Sequence, residues 1–220
     1  MENGTFLICG LFLIGNVLPS LGRARESARR VKCLSNLRQL GMAFLMYTNE
    51  NRGHYPFHAD IGGPVYEDWI YWQQKRSIKQ SAVYRYVGSA DPEVFRCPSD
   101  DPLNRPRVLT EPYYYSYTFN YMVASNGPNG ARVMYNTFRD PTIKIVLVEE
   151  DERSLDDGNW HPILVGTNIE NFLAARHDPR VGKVKDDNSL LGNVAFADGH
   201  GDSLTRAQSR DPYYYDPLKQ

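Results

Sequence analysis

The chain is poor in cysteine, has no excess of either charge and lacks the short signatures of the common enzyme classes. With 25 basic and 26 acidic side chains its net charge is −1, so nothing draws the whole chain to nucleic acid or to anionic lipid. There is no Gly-x-Ser-x-Gly elbow, no phosphate loop and no dinucleotide fingerprint, and the expectation is that it is not an enzyme. Cys97-Pro-Ser-Asp100 lacks the second cysteine of a redox motif. No internal repeat is present. A mean hydropathy of −0.52 leaves only the N-terminus as a membrane element. Of three cysteines, Cys9 lies in the N-terminal apolar run, so Cys33 and Cys97 are the one possible pair in the soluble part. They are either a disulfide or two separate buried thiols.

What is present is concentrated in the first fifty residues. An apolar run from Phe6 to Leu21 passes without a turn signal into a basic, amphipathic stretch reaching Tyr47. Gly4 to Gly22 is about one bilayer-spanning length at roughly 20 residues, although Asn16 and Pro19 interrupt it. A plain membrane anchor and a cleaved secretory signal with Ser20-Leu-Gly22 as its cleavage site are both open readings. Arg23, Arg25, Arg29, Arg30 and Lys32 follow the run and nothing basic precedes it. Taken literally, that charge bias leaves the larger part of the chain in the cytoplasm.

Apolar positions at Ala24, Ala28, Val31, Cys33 or Leu34, Leu37, Leu40 or Gly41, and Phe44 or Leu45 recur in steps of three and four. This predicts a helix that stops at Asn51-Arg-Gly53, with Pro56 just beyond. The segment from Tyr66 to Trp72 carries two tryptophans and is expected to pack on that helix. Ser81–Val87 is expected to be a short helix ending at Gly88. Tyr115 to Tyr121 alternates aromatic with polar residues, the pattern of a half-buried strand. Ile143–Val148 and Leu191–Ala197 predict two more strands, and Asp198-Gly199 a tight turn into a hairpin partner at 200–205. Alternation puts Val194 and Phe196 on one face, expected under the N-terminal helix. The tail from Asp211 to Pro217 is expected to be irregular. The sum is an α+β fold, a long helix on a small antiparallel sheet. Its parts are a membrane segment at 1–22, the amphipathic half of the helix at 23–52, and an α+β head at 53–220.

Leu18-Pro-Ser-Leu-Gly-Arg-Ala-Arg-Glu26, Cys33-Leu-Ser-Asn-Leu-Arg-Gln-Leu-Gly41, Tyr55-Pro56 and Phe95-Arg-Cys-Pro-Ser-Asp100 resemble the bacterial prepilin-type proteins, of the type II secretion G-like kind. Arg176-His177 with Asn193-Val-Ala-Phe-Ala-Asp-Gly-His200 resembles that family's C-terminal motif, a His followed by nine residues and Asp-Gly. Here twenty residues separate His177 from Asp198, the polar stretch 178–188 being the insertion. The resemblance implies a pilin-like fold and a third reading of the N-terminus, a pilin-type helix. Glu2, seventeen residues before Pro19, matches the family's assembly glutamate. A basic leader and three mature residues would then precede Met1 and supply the missing cytoplasmic charge. It further implies a single-pass protein of the bacterial inner membrane with its head outside the cytoplasm. Its partners would be the lipid bilayer and other pilin-like subunits of a type II secretion or type IV pilus-like filament. The alternative is an anchored extracytoplasmic module whose Tyr-rich head binds glycan or protein.

No cofactor is certain. Asp198-Gly199 has a plain reading as a turn and a sharper one as a calcium site, in which Asp198 and Asp202 with backbone carbonyls, and with or without Glu149, supply oxygens. A zinc site from His177, His200 and carboxylates lacks a close ligand pair. Glu149-Glu-Asp151 is an acid/base candidate, or more simply a strand end entering a solvated loop.

Overall fold

In the computed structural model the backbone is described over residues 3–59, 66–88, 91–105, 112–125, 132–162 and 171–220, with side chains from Ser20 onward except Ser125. Glu2 and the side chains of most of the expected membrane segment lie outside the described residues. Among the described residues no helix is long and apolar enough to cross a membrane.

Helix α1 runs from Asn3 to Glu50, 48 residues and about 72 Å at 1.5 Å per residue. It ends where expected. Arg52 and Gly53 both take positive φ, 57° and 83°, and Gly53 N donates to Thr48 O at 2.7 Å, closing the last turn. Its buried stripe is Cys33, Leu37, Leu40, Ala43, Phe44 and Tyr47. The stripe does not extend back to Ala24, Ala28 and Val31, which are exposed. The head begins to cover the helix only at Glu26 and Arg30.

Five strands form one sheet: β1 Tyr117–Asn120, β2 Ile145–Glu149, β3 Asn159–Trp160, β4 Leu191–Phe196 and β5 Gly201–Thr205, in the order β3-β1-β2-β4-β5. The β1–β2, β2–β4 and β4–β5 pairs are antiparallel, but β3 runs parallel to β1, so the sheet is mixed rather than antiparallel. All four residues of β1 are buried, not half of them, because β1 is an interior strand covered on both faces.

Two apolar layers flank the sheet. On the helix side Phe44 lies 4.9 Å from Phe119 and 5.7 Å from Trp69 between ring centres, so the Trp-bearing segment does pack on α1. Ala195 and Ala197 belong to this layer. Val194 and Phe196 do not; they pack on the far side with Ile145, Val148, Trp160, Leu173 and Leu204. The alternation holds, but the face expected under α1 is the one turned away from it. Small residues face α1 because helix and hairpin approach too closely for anything larger: a Cβ on Gly41 would lie 3.1 Å from the Gly199 oxygen, and one on Gly201 3.1 Å from Leu34 Cδ1.

Ser81–Val87 holds only a 3-10 turn, Tyr84–Tyr86. The tail is ordered by a helical turn, Pro212–Tyr215, which Asp211 caps through Tyr213 N at 2.9 Å. Asn120 Nδ2 donates to Tyr215 O at 2.7 Å and ties the tail to the sheet.

The Asp198-Gly199 turn joins β4 to β5, and Gly199 has φ +86°. A Cβ there would lie 2.8 Å from Leu45 Cδ1 and 3.0 Å from Met42 Sδ. Gly199→Val is therefore expected to cost more than about 1 kcal/mol from backbone strain and crowding together. Urea denaturation of the variant checks this, and an unchanged midpoint contradicts it.

Candidate functional site: a buried charge network beside the disulfide

β2 ends in three acids that run not into solvent but into the interior. Glu149 and Glu150 are fully buried and Asp151 nearly so. Each finds partners far away in sequence. Asn193 Nδ2 donates to Glu149 Oε2 at 3.0 Å, and Arg176 Nη1 to Glu149 Oε1 at 3.2 Å. Asn171 Nδ2 donates to Glu150 Oε1 at 2.6 Å. Asp151 is held by Arg153 at 2.7 Å and by Arg206. The solvated-loop reading of 149–151 is overturned, because β2 is a central strand and its end is roofed by the 171–177 segment.

His177 stands at the centre. Its Nδ1 is 2.7 Å from Glu26 Oε1 on α1, and its Nε2 is 3.3 Å from Glu149 Oε1 and 3.2 Å from Cys97 Sγ. Burial lowers its basicity, but hydrogen bonds and charge attraction from Glu149 and Glu26 outweigh this and raise the pKa above the usual histidine value. The structure joins Cys33 on α1 to Cys97 as a disulfide, with Cα atoms 5.2 Å apart. Ser99 Oγ donates to Glu26 at 2.9 Å, and Ser116 Oγ to Asp100 at 2.6 Å. Arg176 spans the acids: its Nη2 donates to Glu150 O at 2.7 Å and its Nη1 lies 3.6 Å from Asp100 Oδ2. Desolvation opposes its charge, yet Glu149 and Asp100 hold its pKa above the ordinary arginine value. An open cleft of about 490 Å³ leads from solvent to His177 between Arg23, Glu26, Arg30, Arg176 and Lys183.

The two halves of the His…Asp-Gly motif do not meet. His177 contacts Glu26, whereas the Asp198-Gly199 turn packs on Gly41. Fifteen helical residues separate those contacts, about 22 Å along α1. The two carboxylates of the expected calcium pair, Asp198 and Asp202, each have local partners. Asp198 Oδ1 accepts from His200 N at 3.0 Å and lies 2.5 Å from His200 Nδ1; Asp202 Oδ1 accepts from Ser203 N at 2.7 Å. Glu149 is in the His177 network instead. His200 stacks on Phe196 at 4.5 Å and shares nothing with His177, so the zinc set from both histidines is not assembled. Among the described residues the group with metal-ligand proximity is Cys33, Cys97, Glu149 and His177, whose donor atoms lie within 4.8 Å of one another.

Sequence reasoning found His177 and both cysteines but missed Glu26, Asp100 and Arg176 as parts of one site. The available signal was adjacency: Asp100 ends the Cys-Pro-Ser-Asp string and Arg176 precedes His177.

Glu150 supports a prediction of its own. Burial holds its carboxyl well above the usual range, against the hydrogen bond from Asn171. Among the described residues its Oε2 accepts no hydrogen bond, and Thr118 Oγ1 makes none. A carboxyl with a raised folded pKa contributes stability that is complete below its unfolded pKa of about 4.3 and is lost as pH rises toward the folded value. Glu150→Gln removes that loss. The variant is expected to match the wild type near pH 4 and to exceed it by about 1 kcal/mol or more at neutral pH. Urea midpoints at the two pH values test it; a variant less stable at neutral pH contradicts it.

A family model described as "Protein of unknown function (DUF1559)" matches residues 22–166. No curated protein and no solved structure matches the chain.

Proposed function

The chain belongs to the DUF1559 family, and from that membership we propose that it is a membrane-stored, pilin-like subunit that assembles through α1 into a type II secretion or type IV pilus-like filament. The observation that carries this reading is the division of labour on α1. One face is the core of its own head. The other leaves Val31, Met42 and Met46 exposed at 66%, 46% and 46%. Steps of eleven and four residues bring these three to one side of a helix, within about 60° at 3.6 residues per turn. A second copy's α1 is the occupant that suits them, since each copy offers the same stripe. In the stored state the first half of the helix lies in lipid, and in the assembled state helix–helix contacts replace lipid. Glu2 offsets a neighbour's amine in that low-dielectric bundle, where an unpaired charge would be costly. The role of the head is architectural and extracytoplasmic, with the charge network fixing helix to sheet.

Photo-crosslinking residues introduced at positions 31 and 42 of the full chain, in its native cells, test this. A ladder of self-adducts is expected from the membrane fraction. Adducts to other proteins or glycans without self-adducts would favour an anchored binding module instead. A chain recovered wholly from the cytoplasm would end both readings.

A further inference from the structure

We propose that Cys33, Cys97, His177 and Glu149 form a zinc site that opens when the disulfide is reduced, so that disulfide and zinc are alternative states of one locus. Four observations lead there. The donor set is two sulfurs, one imidazole nitrogen and one carboxylate oxygen, all within 4.8 Å of one another. That composition and number suit tetrahedral zinc. His177 presents Nε2 to the sulfur and carboxylate while Nδ1 lies 2.7 Å from Glu26 Oε1. A carboxylate on the far nitrogen is the arrangement that orients a metal-bound histidine. The four donors come from four pieces of the fold, α1 (Cys33), the end of β2 (Glu149), the segment after Phe95 (Cys97) and the 171–177 segment (His177), and are almost completely buried. Finally, the cleft between Arg23, Glu26, Arg30 and Lys183 reaches His177 and gives an entry path.

The change of state is small. Thiolates on tetrahedral zinc lie about 3.7 Å apart, against about 2 Å in a disulfide, a difference that side-chain rotation at the two cysteines accommodates. Reduction by a phosphine breaks the sulfur–sulfur bond; two electrons pass to the sulfurs, and with water the products are two thiols and the phosphine oxide. Zinc then replaces both thiol protons and any proton on His177 Nε2, which leave to solvent. Two thiolates and Glu149 against Zn²⁺ leave one negative charge, which Arg176 at 3.2 Å from Glu149 Oε1 offsets.

The test uses the full chain in detergent carrying Cys9→Ser, which removes the remaining thiol. Oxidised and phosphine-reduced protein are titrated with Co²⁺ and with Zn²⁺ against a chromophoric chelator, with circular dichroism recorded in each state. The reduced protein is expected to bind one metal ion, with sulfur-to-cobalt charge transfer and tetrahedral cobalt bands, and zinc should displace the cobalt. The oxidised protein should take up none. His177→Ala is expected to weaken zinc binding by at least tenfold, and Glu26→Gln by 10–100-fold as the loss of an orienting partner. Folded, reduced protein that binds no metal, or equal uptake in the oxidised state, overturns the proposal. So does cobalt bound without sulfur charge transfer. Failure here leaves the assembly reading standing, because crosslinking through positions 31 and 42 does not depend on metal.

Discussion

A chain carrying Cys33→Ala and Cys97→Ala is expected to lose about 4 kcal/mol of unfolding free energy. The two residues are 64 apart in sequence, and closing a loop of that size in the unfolded chain contributes this much in the chain-entropy account. The site also argues for a large effect. Cys33 is the first fully buried residue of α1 among those whose side chains are described, and Cys97 lies between Phe95, in the aromatic layer, and Ser99, which bonds Glu26. The bond therefore ties the helix to the segment that brings Ser99 and Asp100 into the charge network. Alanine rather than serine avoids adding a buried hydroxyl, since both positions are almost fully enclosed. Guanidinium denaturation, with and without a phosphine and with a chelator present, is the measurement. The wild type should lose most of the same stability on reduction, and the double variant should be indifferent to it. Equal midpoints for oxidised and reduced wild type would show that the link contributes nothing to the fold.

The elements that could be read from the sequence are those specified locally. The stop of α1 follows from Asn51-Arg-Gly53, a string that favours positive φ. The strands at 117–120, 145–149 and 191–196 follow from apolar content and period two, and the β4–β5 hairpin from Asp198-Gly199. What could not be read depends on partners remote in the chain. β3 is two residues long and has no period of its own; it exists because Phe119 and Asn120 accept it as a neighbour. The acids at 149–151 look like a loop in sequence because their neutralising partners, Arg176, Asn171, Asn193 and Arg206, lie 21 to 55 residues away. The wrong face assignment of Val194 and Phe196 has the same origin. Alternation says which residues share a face, but which face meets a helix is set by the glycines at 41, 199 and 201, on two different elements. The inserted 178–188 segment also finds its purpose only in three dimensions: Asp178 Oδ2 accepts from Leu191 N at 2.9 Å and pins the start of β4, while 179–188 remains exposed.

Arg176→Met should destabilise the protein by about 3–5 kcal/mol, the range for stripping one partner from a buried ionic cluster. Arg176 is the cation that Glu149 and Asp100 share, at 3.2 and 3.6 Å, and its own side chain is only 10% exposed. A third acid, Glu152, lies 3.4 Å away at the rim. Removing the guanidinium strands Glu149 in the interior, leaves Asp100 with Arg105 as its arginine partner, and also unpairs the Glu150 carbonyl, which now accepts from Arg176 at 2.7 Å. Met fills most of the volume, so the loss reports charge and hydrogen bonding rather than a cavity. Arg176→Lys should recover only part of it, because one ammonium cannot reproduce a planar fork that reaches two carboxylates and a carbonyl at once. The companion change Glu149→Gln sorts out the cause. If the cost of Arg176→Met is a stranded charge, the double variant should be less destabilised than the sum of the singles by at least about 1 kcal/mol. Strict additivity in urea denaturation would mean that Arg176 holds the fold through its carbonyl contact and its packing alone, and the network would then be a consequence of burial rather than a determinant of how α1 is seated on the sheet.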